Sequence, residues 1–502
     1  MVVLDGPTRL ASSAIWEWQR RYYETVGVDA WRSGAVPHYI TNNPVLAGAY
    51  ARVVLAFMRD RAPSALRIVE LGGGSGRFAF QFLTAFSKLH EASALRHVPF
   101  RYVLTDFSEH TIAFWREHEA LVPFVRRGVL EFARVDLEAM DTLAEAATDG
   151  PLVVIANYVL CSLRQDVFRV RAGRLEECRL TVLGRAHEAG APDALDGVKL
   201  LHGWSAIDGA PYADPALDAI VDRCRAARPQ ATVVVPVAAI AMIAAVRRLA
   251  RSVLMLVADR GDRTAMAPWT DDVLNVRVYG GAISLPVDLD ALGRYVEDAD
   301  GVALSTIDRP AHLALAAWLL GEHARACPDT VAAFRDAVER VSPADVFALQ
   351  RGVRAVHEAL DAPALIALLR LTGGDPRVAQ EVAGHLGSRL DDLWEGHREQ
   401  LRQVLREVWE HYYHLGEPED LPFALAALWY RLGDYAQAAA LFERSLAWYG
   451  DDARTRWNLS LCHRARGDEP AAAAHAAAAV RLDPVFRPPP GNLASKSVTL
   501  RP

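Results

Sequence analysis

The chain has 502 residues, 51% of them hydrophobic and 23% charged, with a formal net charge of −7; so apolar a chain buries enough surface to offset its conformational entropy, which excludes disorder throughout. At roughly 100–200 residues per domain, two to four domains are expected. All but three of the 55 basic residues are arginine, a bias typical of GC-rich bacterial genomes, and no long basic block is present, so no nucleic-acid partner is expected.

Cys161, Cys178, Cys224, Cys327 and Cys462 are scattered without a C-x-x-C pair, which argues against a disulfide framework or zinc site and fits a cytoplasmic location. Met1 to Leu10 lacks the basic and apolar regions of an export signal. The longest uncharged apolar run, Ala231 to Val246, contains Pro236 and falls short of the ~20 residues needed to span a bilayer, so it reads as a strand end and a helix. No membrane partner is expected.

Taken in order, residues 1–60 read as helices around the aromatic, basic stretch Trp16 to Tyr23, with an irregular segment from Ser33 to Pro44. From Leu66 onward, short apolar runs alternate with helical periods, the pattern of a parallel sheet covered by helices. Candidate strands are Arg67 to Leu71, Tyr102 to Thr105, Leu130 to Val135, Leu152 to Ala156 and Ser252 to Ala258. An insertion, about residues 167–230, opens with a hairpin turning at Ala172-Gly173. Val276 to Leu285 and Val302 to Ile307 are expected to complete the sheet as antiparallel edge strands. After Pro310 the strand signals stop and helical periods follow. Leu432 to Phe442 realigns with Arg466 to Ala476, with Gly433 and Gly467 34 residues apart, which is the tetratricopeptide period.

Glu70-Leu71-Gly72-Gly73-Gly74-Ser75-Gly76-Arg77 lies between a strand and a helix. Glycines there let a ligand approach the backbone, and the helix start offers unpaired N–H groups. A P-loop would need Lys where Arg77 stands, and a dinucleotide fingerprint would need its third glycine at Arg77. What remains is the E-x-G-x-G-x-G form of class I S-adenosylmethionine (SAM)-dependent methyltransferases, in which Glu70, Gly72, Gly74 and Gly76 would hold the methionine end of the cofactor. Parallel sheets bind ligands at the carboxyl ends of their strands. Asp106 with Phe107, Asp136 with Leu137, and Asn157 with Tyr158 follow the next three strands. Asp106 is placed to accept from ribose hydroxyls, Asp136 from the adenine amino group, and Asn157 lies beside the site of transfer.

The chain resembles the MidA-like SAM-dependent methyltransferases, the family that includes the complex I assembly arginine methyltransferase. The resemblance covers roughly residues 30–300. It rests on Tyr39-Ile40-Thr41-Asn42-Asn43-Pro44, the glycine turn, Ala156 to Leu163, Ala258-Asp259-Arg260-Gly261 and Leu285-Pro286-Val287-Asp288. Where that family carries Glu, Asp and Pro after the fourth strand, Tyr158, Cys161 and Arg164 stand here. The carboxylates that would orient a guanidinium are thus missing at those positions, and the acceptor stays open.

The catalytic candidates are Asn157, accepting from a nucleophile, Tyr158, walling the site, and His38 and Tyr39, closing over it as base or lid. Cys161 reads as core filler rather than a nucleophile. Glu176, Glu177, His202 and Asp208, in or near the insertion, show no metal-site spacing. The expected architecture is α/β: a class I methyltransferase (Rossmann-like) sheet at residues 61–309 behind a helical N-terminal lid at 1–60. An all-α part follows, with a helical domain at 310–415, tetratricopeptide repeats at 416–486 and a disordered tail at 487–502. The expected function is methylation, with SAM as cofactor, of a protein or peptide side chain presented by the repeats. The alternatives are a small-molecule methyltransferase and an inactive SAM-binding scaffold.

Overall fold

The apolar runs ending in Leu71, Asp106 and Asn157 lie side by side in the first of two compact units, Met1–Asp345 and Val346–Pro502. The structure is a computed structural model describing residues 1–185, 194–227, 230–261, 276–306, 313–354, 356–487 and 493–494. In chain order the strands are β1 (Val2–Arg9), β2 (Leu66–Leu71), β3 (Phe100–Asp106), β4 (Leu130–Arg134), β5 (Leu152–Asn157), β6 (Asp166–Arg171) and β7 (Arg174–Gly184). They continue as β8 (Lys199–Ile207), β9 (Gln230–Val235), β10 (Ser252–Asp259), β11 (Arg277–Tyr279), β12 (Ala282–Ser284), β13 (Val302–Ser305) and β14 (Ala314–Gly321).

Seven strands form the main sheet in the order β13-β14-β10-β5-β2-β3-β4. The run from β4 to β10 is parallel, and β14 enters antiparallel between β10 and β13. Connections run outward from β2 toward β4 on one side and from β5 toward β10 on the other. The direction therefore reverses between β2 and β5, which opens a crevice at their carboxyl ends. The helix Arg77–Glu91 packs a stripe of three rings spaced four residues apart, Phe78, Phe82 and Phe86, with successive ring centroids 6.1 and 5.4 Å apart. Phe82 also meets Tyr102 of β3 at 5.4 Å, fixing this helix over the strand that ends in Asp106. The helix Pro44–Arg61 starts cleanly because Asn43 Oδ1 accepts from Leu46 N at 3.0 Å and Pro44 occupies the first turn.

The five strands expected between Leu66 and Asp259 all form, but three other expectations change. First, the sheet does not end before Pro310: β14 is an interior strand, buried over nearly its whole length. Its sequence, Ala-Leu-Ala-Ala-Trp-Leu-Leu-Gly, lacks alternation because both faces are covered, and Ala and Leu favour helix in isolation. It lies within the first unit, as does the helix Pro328–Phe334, so the helical half begins later than residue 310. Replacing Trp318, which is 0% exposed, by alanine is expected to cost about 3–5 kcal/mol in chemical denaturation; a loss under 1 kcal/mol would contradict its place in the sheet. Second, within Val276 to Leu285, β11 and β12 pair, among the described residues, only with each other, apart from the main sheet, whereas β13 does form its edge. Third, the N-terminus begins with a strand rather than a helix.

That strand, β1, joins a five-stranded antiparallel sheet built mainly from the insertion. The long strand β7 carries β8 along one side, and β6 then β1 along the other. The β6–β7 hairpin turns where expected: Ala172 (φ 49°) and Gly173 (φ 76°) are both left-handed, as a type I′ turn requires. Glu177 pairs with Arg9 at 2.7 Å and with Arg179, and Glu176 pairs with Arg169. The run Ala231 to Val246 divides at Pro236 into β9 and the helix Val237–Val246. Among the described residues no helix is long and apolar enough to cross a membrane.

The second unit is helical. Leu421–Arg431 pairs with Tyr435–Tyr449, and Ala453–Ala465 with Glu469–Leu482. The turns are equivalent: Gly433 and Gly467 have φ of 83° and 79°, and Asp434 and Asp468 cap the following helices. Ala438 and Ala472, four residues into each second helix, are 0% exposed where a larger side chain would separate the pair. The predicted disordered tail lies largely outside the described residues, but Ala494 is held, exchanging hydrogen bonds of 2.8 and 3.0 Å with the buried Asn458.

Candidate active site

The glycine turn sits at the point where the sheet reverses direction. Gly72, Gly74 and Gly76 all have positive φ, between 53° and 78°. Gly73 does not, but a Cβ there would lie 2.2 Å from Leu104 Cδ1, so its lack of a side chain is a matter of space. The turn is tied to β3 twice: Gly73 N donates to Thr105 O at 2.8 Å, and Gly74 N to Asp106 Oδ2 at 3.3 Å. From outside the turn, Trp115 Nε1 donates to Gly74 O at 3.0 Å.

The acids at the strand ends differ in environment. Glu70 is 3% exposed and its Oε2 accepts from Tyr102 OH at 2.6 Å. Burial, opposed by that bond, pushes its carboxyl up to about 8, which favours the protonated form near neutral pH. Asp106 also accepts from Ser108 N at 3.0 Å, and burial, working against these backbone donors, pushes it up to about 6. Asp136 is more open. Burial raises its pKa, but donors led by Arg20, whose Nη2 lies 2.7 Å from Oδ2, outweigh that and hold the carboxyl below its ordinary value. Phe107 carries the Arg20 guanidinium over its ring at 4.7 Å, and Leu137, next after Asp136, is buried in the core.

After β5, Asn157 is half-buried. Tyr50 OH donates to its Oδ1 at 3.3 Å, while its Nδ2 is shielded from solvent with no partner among the described residues. Tyr158 follows at φ 54°, a strained conformation for a bulky residue, with Tyr158 N donating to Ala258 O at 2.8 Å. A carboxylate does enter this loop, from β10: Asp259 is 0% exposed and accepts from Leu160 N at 2.8 Å, Cys161 N at 3.3 Å and Arg260 N at 2.7 Å. It is spent on the backbone of this loop and on the Cys161 thiol, and does not replace the acids missing at Tyr158 and Cys161. Burial raises the Cys161 thiol well above its ordinary range, as expected of a core filler.

His38 Nε2 faces Arg77 Nη1 at 3.5 Å, over the start of the helix that follows the turn, and Tyr39 O accepts from Asn42 N at 3.1 Å. The strand-end candidates therefore line the sheet's carboxyl edge, and the His38–Tyr39 segment adjoins Arg77 at one end of it. Two residues not singled out by the sequence belong to the same surface. Trp31 packs on the glycine turn, 3.1 Å from where a Gly74 Cβ would be, and Arg20 covers Asp136 and Phe107. Only the aromatic, basic character of Trp16 to Tyr23 hinted at the second.

No family model and no curated relative matches the chain. Among solved structures it aligns with an uncharacterized protein of Burkholderia thailandensis at 16% identity, covering 67% of this chain and 84% of that one, with a TM-score of 0.40. It also aligns with a member of the same superfamily from that organism, a candidate methyl transferase bound to S-adenosyl-homocysteine. There the identity is 17%, the coverage 61% of this chain and 75% of that one, and the TM-score 0.37. What the site can bind follows from its own geometry.

Proposed function

We propose that the first unit is a SAM-dependent methyltransferase acting on a protein or peptide side chain recruited by the helical hairpins of the second. The observation that carries the cofactor reading is the left-handed glycine turn at the sheet's reversal point, flanked by Glu70, Asp106 and Asp136 at the ends of successive strands. A cofactor with a cationic amine, a diol and an adenine amino group offers one donor group to each acid. When bound, it supplies an activated methyl group on a sulfonium. Transfer from a sulfonium is an in-line displacement, so the chain's contribution is chiefly to position the acceptor. We assign this role to Asn157 and Tyr158, at the end of β5, and the strained φ of Tyr158 supports the assignment.

The repeat-like second unit supports a macromolecular acceptor because stacked helical hairpins present extended surfaces to peptides. Calorimetric titration of the full chain with S-adenosylhomocysteine (SAH) is expected to give saturable one-to-one binding. With methyl-labelled SAM and a native cell extract, label is expected in protein. Label in small molecules alone would overturn the acceptor class, and SAH binding without any transfer would point to a scaffold.

A further inference from the structure

The helix Ile15–Val26 lies along the carboxyl edge of the sheet, pinned by Gln19, whose Nε2 donates to Ser162 O at 2.8 Å and whose Oε1 accepts from Ile283 N at 2.7 Å. The next residue, Arg20, besides pairing with Glu24 of its own helix at 3.3 Å, engages the Asp136 carboxylate at 2.7 Å and the Phe107 ring at 4.7 Å. These are the acceptor and the flat apolar surface that an adenine would need. A guanidinium is planar, donates N–H groups in its plane and stacks on aromatic faces. It thus satisfies the same two groups in the same two ways as an aminopurine.

The other end of the segment behaves similarly. Trp31, with Tyr23 stacked on it at 5.5 Å between ring centroids, covers the glycine turn at Gly74. Residues 15–31 therefore cover both ends of the strip along which an extended nucleoside ligand would lie.

We propose that Arg20 and Trp31 form a self-occluding strap on this segment, Arg20 standing in for adenine and Trp31 closing the glycine turn, so that the cofactor binds by displacing these two side chains while the helix, with Ile15, Trp16 and Trp18 in the core, stays in place. This rests on the cofactor reading above. The apparent affinity is then the intrinsic one reduced by the fraction of molecules with the strap open. The occlusion is built from a partly exposed ion pair, with side chains 27% and 22% exposed, and one cation–π contact. Contacts of this size hold an equilibrium closed by roughly tenfold.

Titrating the full chain and its Arg20→Ala and Arg20→Gln variants with SAH and with adenosine tests the strap. Both substitutions are expected to tighten both ligands about tenfold and to speed association, followed by tryptophan fluorescence. Trp31→Ala is expected to tighten SAH while leaving adenosine nearly unchanged, because adenosine lacks the amino-acid end that meets the glycine turn. If both Arg20 variants, folded by circular dichroism, bind SAH as the wild type does or more weakly, the strap closes over the cofactor instead of competing with it and the proposal fails. Absence of SAH binding in the wild type and in both variants would instead sink the cofactor reading itself.

Discussion

Gly74→Arg is expected to abolish measurable SAH binding, weakening it by more than 100-fold, or roughly 2.7 kcal/mol, while leaving the sheet folded. Gly74 has φ of 53°, where an L side chain is disfavoured by ~1–2 kcal/mol. Its new Cβ would point at Trp31, 3.1 Å away, and the rest of the arginine would have to pass through the crevice at the sheet's reversal point. Gly74→Ala separates these effects. It keeps the backbone penalty but leaves the crevice open, so a loss nearer tenfold is expected. Calorimetry with SAH, on variants whose thermal melts remain cooperative, reads both. Wild-type affinity in Gly74→Arg would show that this turn is not where the cofactor lies.

How far the sequence could be read depended on whether a local pattern survived tertiary context. β2, β3, β5 and β10 were legible because Val- and Ile-rich or aromatic runs are bounded by turn residues. β14 was not, because a strand covered on both faces needs no alternation and its alanines and leucines resemble a helix. β1 was missed for a different reason: Val2–Arg9 is interrupted by Asp5, Gly6 and Pro7, and its ladder with β7 shifts register at the same places. The acids at the strand ends were legible because a ligand-binding edge follows directly from strand order. Arg20 and Trp31 were not, since nothing local brings residues 15–31 across the chain to Asp136 and Gly74. The same holds for Asp259, whose burial beneath the 157–161 loop depends on β10 pairing with β5.

Binding of SAH at pH 6.5 is expected to release about one proton, and Glu70 is its source. Burial holds the Glu70 carboxyl at about 8 in the ligand-free protein against 4.5 for an ordinary glutamate, so at pH 6.5 it is protonated. The ligand's α-amino group, that of a free amino acid, is already charged there and takes up almost nothing. If that ammonium meets Glu70, the carboxyl must ionise, and the proton leaves to buffer. Measured enthalpies should then vary linearly with the buffer's ionisation enthalpy, with a slope near one. In Glu70→Gln the slope should fall to near zero and the affinity by at least about tenfold. The linkage also fixes the behaviour without ligand. A carboxyl whose folded pKa is raised contributes stability that is complete below pH 4.5 and is lost as pH rises toward 8. Asp106 adds to the same trend between 3.8 and about 6. The wild-type melting temperature should therefore decline from pH 5 to 8, and Glu70→Gln should flatten most of that decline, ending more stable than wild type at pH 8 by at least ~1 kcal/mol. Equal heats in all buffers for the wild type would place the ligand's ammonium elsewhere. A flat wild-type stability profile would mean that Glu70 is not held protonated at all.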